Sequence, residues 1–180
     1  MPWYDIQTNR LGMRNWQMTD LPALAKLNQD AEVMRYFPST LTTEQSKAMI
    51  LRFQRHYETH GFTYYAVDRL DTAQCIGFIG LHTQTYESFF TPCVDIGWRL
   101  GREHWGKGFA TEGARACLAH AFEVLGLKEI YSVASMGNIP SIRVMQKIGM
   151  TYAGQVDHPQ LPVESGLNPC VVYQKLRSTP

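Results

Sequence analysis

The sequence predicts an α+β domain with a mixed, mostly antiparallel central sheet flanked by helices. Three observations point to it. Two helical patterns open the chain, over residues 21–37 and 43–60. Three short runs rich in aromatic and β-branched residues then follow with no helix between them, "FTYYAV", "CIGFIGLH" and "CVDIGWRL". Such spacing marks consecutive antiparallel strands. Past residue 109 helical and strand patterns alternate, which requires crossover connections.

Taken in order, "IQTNRLGMRNW" alternates well enough for a first strand. Thr19 and Asp20 then stand where caps belong for a helix through "LPALAKLNQDAEVMRYF", with Pro22 tolerated in its first turn. "FPST" breaks it. Thr42 precedes Gln45 by three, the spacing of a capping box, and Gly61 marks the end of that second helix. After the three strands, Ala110, Ala114, Cys117, Leu118, Ala121 and Leu125 form the apolar stripe of an amphipathic helix. "EIYSVAS" reads as a strand. "NIPSIRVMQKIG" reads as a short helix capped by Asn138, with Pro140 in its first turn and Gly149 at its end. "CVVYQKL" closes as a strand.

The 180 residues suit a single domain, 1–180, and the apolar fraction of 44% supports a full core. A net charge of +1 with mixed signs offers no footprint for nucleic acid or an anionic membrane. The opening "MPWYDIQTNR" carries no apolar signal region, and no run approaches the ~18 apolar residues of a membrane span. Cys75, Cys93, Cys117 and Cys170 form no C-x-x-C pair and read as reduced thiols, so a cytoplasmic location is expected. His56 and His60 share a helix face at i, i+4, but "HYETH" places its Glu wrongly for the zinc-protease pattern and no third ligand is evident. No metal is expected.

The most informative stretch is "REHWGKGFATEGARACLAHAF", residues 102–122. A strand gives way to a helix whose first N–H groups lack internal partners, and those donors favour negative charge. Gly106 and Gly108 permit left-handed backbone and close approach, while Lys107 adds a mobile cation. This is the outline of a phosphate cradle. It is neither a Walker loop nor a dinucleotide fingerprint, since position 111 is Thr and some hundred residues precede it.

The segment "VDIGWRLGREHWGKGFATEGARACLAHAF", followed 30 residues after Gly108 by "NIPSIRVMQKIGM", resembles the GNAT N-acetyltransferase superfamily. With "TNRLGMRNWQMTDLPALAKLNQDAEVMRYFP" it is most similar to the branch containing the ribosomal-protein N-terminal acetyltransferases. The resemblance covers residues 8–176. It implies a sheet whose fourth and fifth main strands, here "CVDIGWRL" and "EIYSVAS", splay apart around the pantetheine arm of acetyl-CoA, the co-substrate. It also implies that backbone N–H groups of Trp105, Gly106, Lys107, Gly108, Phe109 and Ala110, extending to Thr111, bind the diphosphate. Where members often carry Gln or Arg, this chain has Trp105, so backbone contact is expected there. Ile96, Trp98, Arg99 and Leu100 on the first splayed strand, with Asn138 and Ser141, complete the implied cofactor set.

Acetyl transfer to an amine needs a base, a polarised carbonyl and a proton for the thiolate. Glu103 matches a Glu used by some close relatives, and Asp95 lies in a strand on the face shared with Gly97 and Arg99. Glu103 is the leading candidate base, Asp95 the second. Met145 stands where many members carry a general-acid Tyr, which leaves Ser141 or solvent to protonate the thiolate. Cys117 falls on an apolar helix stripe and Cys93 has no activating neighbour, so direct attack by the amine is expected. Met34, Tyr36, Phe37, Tyr86, Phe89 and Phe90 are candidates to line the acceptor pocket. The expected activity is transfer of acetyl from acetyl-CoA to a primary amine, a protein N-terminal α-amine under the branch resemblance, by a monomer or homodimer. The alternative is a catalytically idle CoA-binding module on the same scaffold.

Overall fold

The computed structural model describes residues 3–178. The chain begins with a hairpin where one strand was expected. β1 (Ile6–Gln7) and β2 (Leu11–Arg14) pair antiparallel, Ile6 opposite Met13. The Thr8 hydroxyl makes the break: it accepts from Leu11 N–H at 3.0 Å and donates to Glu112 at 2.6 Å.

The first helix, α1 (Leu21–Gln29), stops eight residues short of the expected end at Phe37, and Asp20 does not cap it through its side chain. Its carboxylate is taken by Gln17 N–H at 2.8 Å and by the Arg14 guanidinium. The Asp30 carboxylate accepts from Glu32 N–H at 2.9 Å, a local bond that competes with helix continuation. The second helix, α2 (Thr43–His60), follows the sequence closely, with a reciprocal Thr42–Gln45 box at its start.

Strands β3 (Tyr64–Arg69), β4 (Gln74–Gln84) and β5 (Cys93–Leu100) form an antiparallel meander. Then come α3 (Phe109–Glu123), β6 (Glu129–Ser135), α4 (Ile139–Lys147), β7 (Thr151–Val156) and β8 (Cys170–Leu176). The eight strands lie in the order β1-β2-β3-β4-β5-β6-β8-β7. The sequence pattern did not reveal β7. It is an edge strand with mostly exposed residues, so no buried face imposes an alternation on its sequence.

Alternation in the meander sends side chains to two cores. Tyr65, Val67, Ile79 and Ile96 face α3, where Ala114, Cys117, Leu118 and Ala121 meet them. Ala66 and Phe78 face the other way, toward Leu24 and Leu27 of α1 and Ile50 and Phe53 of α2. Burial of side chains this size contributes on the order of 2 kcal/mol each. Cys117 is wholly buried in the first core, as its place on the stripe predicts. Among the described residues no helix is long and apolar enough to cross a membrane.

The functionally important irregularity is at the sheet centre. β5 and β6 run parallel but share one register pair, Asp95 with Tyr131, and part toward their C-terminal ends. Just past that vertex the Ser132 hydroxyl donates to the Ile96 carbonyl at 2.9 Å, a side chain standing in for the next ladder bond.

Candidate active site

The opening between β5 and β6 is lined by backbone polar groups. Neighbouring residues in a strand point their carbonyls to opposite edges, and a residue's N–H shares the edge of its own carbonyl. Ile96 O meets Ser132 of β6 at the vertex, so the N–H and C=O of Trp98 and Leu100, which share that edge beyond it, face the opening. Leu100 O accepts the Trp105 indole N–H at 2.8 Å, which pins the loop to the end of the strand. By the same alternation the Arg99 main chain faces β4, where its register partner is Phe78. Arg99 therefore stands apart from the cofactor set in which the resemblance placed it.

At the mouth of this opening Gly106 and Gly108 adopt φ of 71° and 81°, the left-handed conformation that favours glycine. Among the described residues the N–H groups from Gly106 through Thr111 have no protein partner. Trp105 departs from the expected donor set, because its N–H bonds the Arg102 carbonyl at 3.1 Å. Arg10 braces the loop from the β1–β2 turn, donating to Lys107 O at 2.9 Å and to Glu112 at 2.6 Å. Sequence reasoning missed Arg10, since nothing local ties residue 10 to a loop a hundred residues away. The Lys107 ammonium folds back onto Glu103 O at 2.8 Å. The loop is thus a row of convergent donors with the α3 N-terminus behind it, suited to a diphosphate.

On the second arm of the opening, the Asn138 side-chain oxygen accepts from Ser141 N–H at 3.3 Å and caps α4. Its amide hydrogens are uncommitted, and the Ser141 hydroxyl has no partner among the described residues. Met145 is 1% exposed and belongs to the core.

The two candidate bases separate clearly. Glu103 sits on a short turn, 102–104, with a side chain 57% exposed. It shares a shallow depression with Ala23, Lys26, Gln74 and Cys75, on the β4 side of β5 and away from the opening. Asp95 is at the vertex itself, accepting from the Tyr64 hydroxyl at 2.6 Å and from Gln84 Nε2 at 3.0 Å. Burial pushes its carboxyl up to about 7, only partly offset by those two hydrogen bonds. The Tyr64 phenol, buried beside that carboxylate, is driven well above its ordinary range and stays a donor. Directly across the ladder is His82, pushed down to about 4 by burial and the neighbouring His56, hence neutral at pH 7.

The remaining sequence candidates also find places. His56 accepts from Thr83 N–H at 3.1 Å, which leaves Nδ1 to donate to Phe62 O at 2.8 Å, so both ring nitrogens serve the fold. Met34 is 4% exposed and lies in the core, not in a pocket wall, because the chain turns back on itself after Asp30. Phe37 lies over the Arg99 guanidinium and Tyr36 beside Gly137. Tyr86, Phe89 and Phe90 form a second aromatic group, whose Phe90 ring is 5.3 Å from that of Tyr131 at the vertex.

A sheet that parts over a cradle of backbone donors can seat a diphosphate whose attached arm runs along a free strand edge. Comparison with known proteins gives the family: the model for the acetyltransferase (GNAT) domain matches residues 10–151, and the chain belongs to that family. It is 32% identical to the uncharacterized N-acetyltransferase YnaD of Bacillus subtilis over 83% of this chain and 84% of that one. Among solved structures, a GNAT-family acetyltransferase from Bacillus anthracis superposes with a TM-score of 0.79 at 26% identity, covering 96% of this chain and 98% of that one. The ribosomal-protein-S5-alanine acetyltransferase of Vibrio fischeri superposes at 0.77 with 17% identity, over 95% of each chain, a likeness of fold alone.

Proposed function

We propose that the protein moves an acetyl group from acetyl-CoA directly to a primary amine, with Asp95 as the base. The observation that carries this is the position of Asp95: a carboxyl raised to about 7, at the point where β5 leaves β6. A base poised near the working pH combines a useful deprotonated fraction with real proton affinity. α-Amines titrate near 8, so modest basicity is enough to generate the neutral nucleophile. This reverses the ranking from sequence, which put Glu103 first.

Acetyl-CoA supplies the activated thioester. The backbone from Gly106 through Thr111 would hold its diphosphate, the free edge of β5 and the Asn138 amide its pantetheine. The N–H of Trp98, beyond the last paired position, faces the opening and is the candidate donor to the developing oxyanion. The amine nitrogen bonds the acetyl carbon, its proton passes to Asp95, and the C–S bond breaks. Ser141 or solvent protonates the departing thiolate, since Met145 cannot. The branch resemblance favours a protein N-terminal α-amine as acceptor.

Met145 also gives weight to a second reading, an idle CoA-binding module. Turnover of acetyl-CoA, followed as free thiol, separates the two against a panel of Ser- and Ala-starting peptides, amino acids, polyamines and aminoglycosides. On the transferase reading one class turns over, Asp95→Asn lowers kcat about 10²- to 10³-fold, and Glu103→Gln changes it little. Tight acetyl-CoA binding without turnover selects the module. Loss of activity in Glu103→Gln alone returns the base to that residue.

A further inference from the structure

Arg99, buried, and Asp95, half-buried, lie on one face of β5, and among the described residues neither forms an ion pair. Residues four apart on a strand are separated by about 13 Å, too far for the two to satisfy each other. The Tyr64 ring occupies the space between them, over Gly97, where a Cβ would come within 3.1 Å of it. The face therefore presents a carboxyl group, an aromatic floor and a guanidinium, in that order.

Arg99 is the anomaly. It is 8% exposed, yet among the described residues its Nε has no partner and its one hydrogen bond runs from Nη1 to Asn28 Oδ1 at 2.7 Å. Burial pulls the guanidinium below its ordinary range, and Arg52 of α2, of the same sign, adds to the effect. The contrast with Arg14 is direct. That arginine is equally buried but gripped by two carboxylates, Asp20 at 2.8 Å and Asp68 at 2.7 Å. A buried cation without a counter-charge is costly, and a fold with carboxylates to spare places one beside it when the role is structural.

Arg99 is also held ready. Asn28 donates from Nδ2 to Ser46 Oγ at 3.0 Å, which fixes its oxygen toward the guanidinium. Phe78 lies below at 5.1 Å, and Phe37, 37% exposed on the loop after α1, covers it at 3.9 Å. The cover is thus a solvent-facing loop side chain outside both cores.

We propose that Arg99 binds a carboxylate of the acceptor, so that the acceptor is an amino carboxylate whose amine is presented to Asp95. This rests on the transferase reading for the amine; the carboxylate is inferred from Arg99. Two sources share this chemistry: free amino acids, and peptides with Asp or Glu at or next to the N-terminus. Arg99 is then a specificity-determining residue and takes no part in bond making.

Binding can be measured without turnover. Calorimetry in the presence of CoA would compare N-acetyl-α-amino acids with their carboxamides, and N-acetylated peptide amides starting with Asp or Glu with their Asn or Gln counterparts. In one of these two series the carboxylate is expected to bind at least tenfold tighter than its neutral match, which also identifies the source. Arg99→Gln removes the difference. Should that variant not fold, Arg99→Lys retains the charge and weakens the carboxylate series alone. In turnover, Arg99→Lys raises KM for carboxylate acceptors about tenfold, leaving kcat and amidated acceptors unchanged. Equal binding of acid and amide, or no carboxylate binding at millimolar concentration, overturns the proposal. Carboxylate binding through Arg99 with no acetylation of any amine would leave the recognition site standing and remove the transferase reading.

Discussion

On the proposed mechanism Asp95 couples activity to stability. Its carboxyl titrates near 7 in the folded protein and near 3.9 in the unfolded chain, so the folded state holds the proton more tightly. The stability associated with that proton is full below about pH 4, falls as the pH rises to about 7, and stays low above. Asp95→Asn should therefore be more stable than wild type at pH 8 and equal to it near pH 4, as denaturant titrations at the two pH values would show. In the active enzyme kcat/KM should rise through about pH 7 and then level, because the base form is required. A profile flat across that range would remove Asp95 from the proton transfer. None of this is visible at the level of residue type. "VDIGWRL" contains an ordinary Asp until Tyr64, 31 positions away, and Gln84 enclose it.

Among the elements, the parting of β5 and β6 makes the candidate site, and Ser132 bonds across its vertex. The hydroxyl is buried and bonds Ile96 O across strands that have ceased to pair through their backbones. Removing it leaves a buried carbonyl unsatisfied, at a cost of about 1–3 kcal/mol. Ser132→Ala should accordingly lower the urea midpoint, and it should raise KM for acetyl-CoA more than KM for the acceptor, since the cofactor edge of β5 loses its anchor. Equal effects on both constants would show that the bond stabilises the sheet without setting the opening. Sequence placed both strands correctly. It could not show that they share one register pair, which depends on what each strand meets on its other edge.

For the whole molecule, the Arg14–Asp20–Asp68 triad ties the N-terminal hairpin, the start of α1 and the sheet together. Arg14 on β2 donates to Asp68 on β3 at 2.7 and 3.0 Å and to Asp20 at 2.8 Å through two nitrogens. The two hydrogen-bonded carboxylates hold the guanidinium protonated, above its ordinary range. Asp68→Ala strands part of that charge and should cost about 3–5 kcal/mol, seen as a large drop in Tm with cofactor affinity per folded molecule unchanged. Asp20 was expected as a helix cap, from its position before "LPALAKL". A partner supplied by the neighbouring strand won, because two charge-assisted bonds outweigh one capping bond.

What the sequence determined by itself is local and periodic. The two-residue repeat of the meander, the apolar stripe of α3, the Thr42 and Asn138 caps and the glycines at 106 and 108 each follow from bonds made within a few residues, so the fold class and the left-handed glycine loop were legible from them. What only the tertiary structure decided involves residues distant in the chain. It turned Glu103 to the β4 side, set Asp95 at the vertex, gave Arg14 two carboxylates and, among the described residues, gave Arg99 none. The physical reason is the range of the forces concerned. Torsional preference and periodic burial act along the chain, whereas desolvation and charge pairing depend on whichever groups the folded chain brings within a few ångströms.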